Sequence, residues 1–204
     1  MPTKLMIVFY SRTGAVEALA GAAAEAAREA GAEVRLRRAR EVADEDVIAA
    51  SPGWHEAARR MNAAYPAPTK EDAEWADAIL FGSPSYFGAV SADLKAFLDQ
   101  LGPQWKEGAL AGKAGGAFAS ASWPHGGSEV TMLSLYASMA HLGMVVVTTG
   151  YTDSSMQEAG SPYGAVAIVG SDKGLPGPEE LDAARHQARR TVGIAGVLVA
   201  AGIK

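Results

Sequence analysis

The sequence predicts an α/β fold, an open parallel sheet covered by helices on both faces. Three observations carry this. Short apolar runs of strand-forming residues, such as Leu5–Tyr10, Ala78–Gly82 and Met144–Thr149, alternate with longer helical patterns. Two of those helical patterns run into glycines, Gly31 and Gly143, which suit helix ends. The loops after the first, third and fourth strands have unusual, glycine- and serine-rich sequences.

In chain order, the first strand is Lys4–Tyr10, and an alanine-rich helix follows from about Gly14 to Ala30. The second strand is Glu33–Arg38. A less regular region, Glu41 to Pro68, holds one helix near Trp54–Ala63. Thr69-Lys-Glu-Asp72 resembles a capping box and opens a short helix. The third strand is Ala78–Gly82, followed by a helix at about Ala92–Leu101. The fourth strand is about Lys113–Ala121, followed by a helix at about Ser128–Leu142. The fifth, Met144–Thr149, is a continuous apolar run suited to burial on both faces. A long loop, Gly150 to Gly164, and a Gly/Pro-rich stretch lead to the last helix at Pro178, with Glu179 and Glu180 in its first turn. Five strands separated by helices fit a flavodoxin-like three-layer sandwich with strand order 2-1-3-4-5, in one domain spanning 1–204.

Composition narrows the function classes. Of 204 residues, 49% are hydrophobic and 20% charged, which is ordinary for a globular chain. A net charge of −5 gives no electrostatic case for nucleic-acid binding. With no cysteine, disulfides, thiolate metal sites and a cysteine nucleophile are excluded, a composition compatible with the cytoplasm. The apolar tail Thr191–Ile203 is shorter than the roughly 20 residues a bilayer span needs, so no membrane insertion is expected. No His/Asp/Glu set has metal-site spacing, and no G-x-S-x-G elbow supports a hydrolase.

In open parallel sheets, ligands bind beyond the carboxyl ends of the strands, where strand order reverses. The loop after the first strand, Ser11-Arg-Thr-Gly-Ala-Val16, feeds directly into a helix. Such a turn presents backbone N–H groups at the positive helix end and cradles a phosphate; it also serves as a simple helix cap. The loop after the third strand, Ser83–Ser91, offers Pro84, Ser85, Tyr86, Phe87 and Gly88. Its two aromatics either flank a flat heteroaromatic ring or plug the end of the core. The loop after the fourth strand, Ser120–Ser128, offers donors from Ser120, Ala121, Ser122, Gly126 and Gly127 to a polar ring edge, with Trp123 and His125 beside them. Together the loops suit a phosphorylated flat ring. The phosphate loop alone is insufficient: charge-assisted bonds contribute about 1.5–3 kcal/mol each, whereas nanomolar binding needs about 12 kcal/mol net.

The chain resembles the WrbA family of flavodoxin-like, FMN-dependent NAD(P)H:quinone oxidoreductases. The resemblance rests on Ser11–Gly14, Phe81–Gly88, Phe97–Gly102, Trp105 with Gly108-Ala-Leu110, Gly126–Glu129, Ala140–Met144 and Ser161–Ala165. It implies FMN with its phosphate on Ser11, Arg12, Thr13, Gly14, Ala15 and Val16, its ring against Pro84–Gly88, and its polar edge at Ser120–Ser122 and the glycines beyond. It implies NADH or NADPH as donor, a quinone as acceptor, and a homotetramer whose sites neighbouring subunits complete. His141 matches a family histidine near the flavin, acting on the quinone; as a helix-terminal residue it equally suits capping carbonyls. Trp105 matches an aromatic of the quinone pocket, which Tyr86 also borders. The chain departs from many relatives at Thr13, where they carry an aromatic, at Tyr86, where they carry Arg, and at His141-Leu142, where they carry two histidines. Trp54, His55 and Trp75 read as core or subunit-contact residues, and His186 as a surface residue among arginines. A flavodoxin-type electron carrier and a non-catalytic binding protein of the same fold are the alternatives.

Overall fold

The computed structural model of the chain describes residues 1–159, 161–170, 172 and 174–203. Its elements are β1 (Lys4–Phe9), α1 (Ala15–Glu29), β2 (Glu33–Arg38), α2 (Glu45–Ala49), α3 (Trp54–Ala64), α4 (Lys70–Trp75), β3 (Ala78–Tyr86) and β4 (Ala89–Val90). They continue with α5 (Ala92–Asp99), α6 (Gly102–Lys106), β5 (Ala114–Ala121), α7 (Ser128–His141), β6 (Val145–Val146), α8 (Ser154–Ala159), β7 (Val166–Ile168) and α9 (Pro178–Ala200).

The sheet runs β2-β1-β3-β5-β6, with β4 antiparallel on β3 and β7 parallel on β5. This is the expected 2-1-3-4-5 order, because β5 and β6 are the fourth and fifth strands of the sequence reading. Period-two alternation in β1 builds both halves of the core at once. Leu5, Ile7 and Phe9 face the α1/α9 layer, while Met6, Val8 and Tyr10 face the layer holding Leu94, Phe97, Leu135 and Met139. All six β1 and adjoining side chains are fully buried, which locks the register that aims Ser11 at the sheet's carboxyl edge. The alanines along α1 allow α9 to pack closely, burying Ala183, Ala184, Ala188 and Ala195 against it.

The Thr69 capping box forms as read: Thr69 Oγ1 accepts from Asp72 N at 3.1 Å and Asp72 Oδ2 accepts from Thr69 N at 3.2 Å. Asp72 also pairs with Arg35 and Arg37 of β2, so one carboxylate joins a helix start to a sheet edge.

The largest difference from the sequence reading is at the fifth strand. The fifth strand is not a doubly buried run over Met144–Thr149. Only Val145–Val146 pairs, against Ala114 and Gly115, and these valines are 36% and 37% exposed. The far end of β5 pairs instead with β7, Val166–Ile168, against Ala119–Ala121. The edge position is therefore shared by two short strands, with helix α8 between them in sequence. Periodicity cannot distinguish an apolar edge strand from a central one, because both read as an unbroken hydrophobic run. Helix α2, helix α6, the turn-back strand β4 and helix α8 were likewise not anticipated; each is too short to carry a period.

Candidate active site

β1, β3 and β5 end together, and their loops line one cleft. Its walls are Ser11, Arg12, Thr13, Ala15, Val16, Pro84, Ser85, Tyr86, Ser120, Ala121, Ser122 and Val169. All but Val169 are residues the sequence pointed to. Val169 follows β7, and its N–H donates to Ala121 O at 3.0 Å, an arrangement hidden by the misread fifth strand.

The first loop is built as an anion cradle. Gly14 has φ 115°, a conformation that strains any other residue, and its N–H donates to Ser11 Oγ at 3.1 Å. Among the described residues, the backbone N–H groups of Arg12, Thr13, Ala15 and Val16 find no acceptor within the chain. All four belong to residues lining the cleft. Free N–H groups at a helix start, converging on a cleft, form the donor set a phosphate monoester requires. That set fits the phosphate of FMN.

The second and third loops are fastened to each other. Ser85 Oγ donates to Gly126 O at 2.7 Å, and Thr131 Oγ1 lies 3.0 Å from both Ser85 Oγ and Gly127 O. A Cβ on Gly127 would stand 2.6 Å from Gly88 Cα, so the two loops meet backbone to backbone. Gly88, Gly126 and Gly127 therefore set the spacing of the cleft without lining it. β3 turns into β4 through Phe87 (φ 55°) and Gly88 (φ 74°), a two-residue hairpin with both central residues left-handed. Phe87 is the sole non-glycine residue with positive φ among those described, and its side chain is fully exposed and does not line the cleft, contrary to the sequence expectation. Tyr86 is half-buried beside it. Burial pushes its phenol up and the Arg12 charge works against that, so it stays a neutral donor at physiological pH.

Arg12 leans away from the sheet. Its guanidinium stacks 3.7 Å over the Trp54 ring and donates to Ser51 Oγ at 3.0 Å. Trp54 is thus buried as read, and it also anchors a cleft residue to the α2–α3 region. Trp75 stacks with Arg35, His55 pairs with Glu45 on the surface, and His186 sits between Thr152 and Asp153, so none of these reaches the cleft.

His141 and Trp105 lie together, but elsewhere. They share a groove of about 320 Å³ on the α5–α7 face with Lys95, Leu98, Asp99, Leu101, Gly102, Ser138 and Leu142. Both are exposed, and neither lines the cleft of its own chain. Trp123 and His125, in the third loop, are exposed as well.

The family model for NADPH-dependent FMN reductase matches residues 8–158. The chain belongs to that family. Within it, the chain is 42% identical over 199 residues to an NAD(P)H dehydrogenase (quinone) of Deinococcus radiodurans, covering 97% of this chain and 98% of that one. It is 41% identical over 203 residues to one from Aromatoleum aromaticum, covering 96% and 97%. A WrbA-like flavodoxin from Agrobacterium tumefaciens superposes with a TM-score of 0.66 at 23% identity, covering 96% and 98%. Flavodoxin 1 from Bacillus cereus superposes at 0.60 with 18% identity, covering 94% and 98%. These two likenesses establish the flavodoxin-like fold of this FMN reductase family member.

Proposed function

We propose that the chain reduces quinones to quinols by two electrons, with FMN bound in the cleft and NADH or NADPH as donor. The observation that carries this is the set of free N–H groups on Arg12, Thr13, Ala15 and Val16, opening onto the cleft that Tyr86 and Ser120–Ser122 complete. The similarity to quinone dehydrogenases over nearly the whole chain supports it.

When bound, FMN would supply the two-electron chemistry. The residues of this chain bind and orient. Ser11–Val16 would hold the FMN phosphate. Pro84, Ser85 and Tyr86 would form the surface for the ring, with Phe87 and Gly88 making the turn that holds them in place. Contrary to the sequence expectation, the N–H groups of Ser120 and Ala121 are spent in the β5 ladders toward β3 and β7, so the Ser122 N–H, just past the strand end, would be the backbone donor to the polar ring edge. Tyr86 keeps its proton at Oη beside Arg12 and, as a cleft-lining residue, would border the quinone. His141 and Trp105 would serve the quinone from a neighbouring copy, within the homotetramer that the family resemblance implies. The same proposal has the chain acting as one domain, in the cytoplasm; its cysteine-free composition suits a reducing compartment. Among the described residues no helix is long and apolar enough to cross a membrane.

The test is anaerobic mixing of FMN-loaded protein with NADH, then NADPH, followed by benzoquinone. Rapid bleaching of the flavin and quinone-driven recovery are expected, and the faster donor gives the preference. Bound flavin that stays yellow with both donors would overturn the enzyme reading in favour of an electron carrier.

A further inference from the structure

Beneath the phosphate cradle lies a charged side chain that no part of the proposed reaction uses. Arg38, the last residue of β2, is 0% exposed. Its Nη2 donates to the backbone carbonyl of Ser11 at 3.0 Å. Its Nη1 donates to Asn62 Oδ1 at 2.5 Å and to Glu41 Oε2 at 3.1 Å, and Nη2 also meets Glu41 Oε1. The guanidinium lies over the Tyr10 ring at 5.3 Å, and its Nε has no partner among the described residues. One buried cation thus reaches the first loop, the segment after β2 and helix α3.

We infer that Arg38 is a positioning residue for the phosphate cradle, acting by holding the Ser11 carbonyl inward so that the Arg12 N–H faces the ligand. The reasoning is geometric. In a trans peptide the C=O and the following N–H point in opposite directions. Pinning Ser11 O toward Arg38 therefore directs Arg12 N–H away from the core, and that N–H is one of the four left free at the cleft. Without the pin, the Ser11–Arg12 peptide is free to rotate and to present its carbonyl oxygen to a dianion.

The effect is directional rather than a matter of net charge. Burial works to raise the Glu41 carboxyl, but the hydrogen bonds and charge of Arg38 outweigh it and hold it below its ordinary value. Glu41 is therefore ionised, and the Arg38–Glu41 pair presents no net charge to the cradle. A lysine at position 38 keeps the charge but cannot satisfy Ser11, Glu41 and Asn62 through one planar fork.

This inference rests on the FMN reading, and the experiment separates the two. FMN and riboflavin differ only in the phosphate, so their affinity ratio isolates the cradle, while riboflavin alone reports whether the ring surface is intact. Both are titrated by flavin fluorescence with the wild-type protein and with Arg38→Lys. The wild type is expected to prefer FMN. Arg38→Lys is expected to weaken FMN by about tenfold or more while leaving riboflavin unchanged within about twofold. A wild type with no preference for FMN would overturn the phosphate reading itself. A variant that keeps the wild-type ratio would overturn the inference alone. Should Arg38→Lys fail to fold, the wild-type Arg12 amide resonance decides: it must shift on adding FMN and not on adding riboflavin, and an Arg12 signal indifferent to FMN overturns the inference.

Discussion

The cleft at the ends of β1, β3 and β5 and the groove holding His141 and Trp105 are built on opposite principles. The cleft is finished within one chain. Ser11 is 1% exposed, Ser85 is tied to the third loop, Gly127 abuts Gly88, and Arg38 pins the first loop from below. The groove has no such fastening. Trp105 is 59% exposed, and among the described residues no hydrogen bond holds the His141 ring. Preorganisation costs little at a site that must hold a cofactor continuously, because the ordering is done at folding. A surface that serves a transient quinone, or that becomes a site only against another copy, has no such requirement. The difference predicts that cofactor binding and quinone turnover are separable by mutation.

The strongest test of that separation is His141→Ala. Quinone turnover is expected to fall by about a hundredfold, in the range of a lost proton donor, with FMN affinity unchanged. Stopped-flow reoxidation and a flavin titration measure the two; a parallel loss of FMN would erase the distinction. From the other side, Gly127→Ala should weaken FMN by about thirtyfold, since the new Cβ meets Gly88 and the residue must hold φ 81°. Ser11→Ala removes the acceptor for Gly14 N–H and is expected to cost about fivefold in FMN affinity by the same titration.

Acidification sharpens the comparison further, because Glu41 belongs to the cleft's foundation. Its folded-state carboxyl titrates below its unfolded value, so the unfolded chain takes up the proton first as pH falls. The stability it contributes is whole above the ordinary value of 4.5 and drains away below it. FMN release on acidification should show a step in that acid range which Glu41→Gln lacks, as read by flavin fluorescence against pH. The smallest effect concerns Phe87. Replacing it with Asn, which tolerates the left-handed turn, should raise the thermal midpoint of the FMN-free protein by about 2–4 °C. The same change should weaken FMN slightly if the exposed ring serves the cofactor; a lower midpoint would mean the turn is not strained.

Much of this was legible in the residues. The apolar alternation of β1 and the Ser-Arg-Thr-Gly loop located the cradle, and Pro84–Gly88 with Ser120–Ser122 located its walls. The legible features are local, each spelled by neighbours in sequence. What was missed is long-range. Arg38 reads as one of several arginines on a solvated strand; only its alternation with the partly buried Val34 and Leu36 hints that it turns inward. Trp54 reads as core, and nothing in its own segment announces Arg12 stacked upon it. Val169 was hidden because an apolar run at Met144–Thr149 reads the same whether it fills the sheet's last position or only begins it.

That divided last position has a consequence beyond the cleft. A sheet edge is a row of unsatisfied amides and carbonyls, able to recruit a strand from another molecule. Here one edge is offered only as Val145–Val146 and Val166–Ile168, too short and too interrupted to template an incoming strand. The other edge, β2, carries Arg35 and Arg37 clamped to Asp72, so a strand docking there must displace charge. The arrangement guards a sheet rich in exposed-when-unfolded aliphatic residues against growing into a fibre, a protection that a continuous fifth strand would have surrendered.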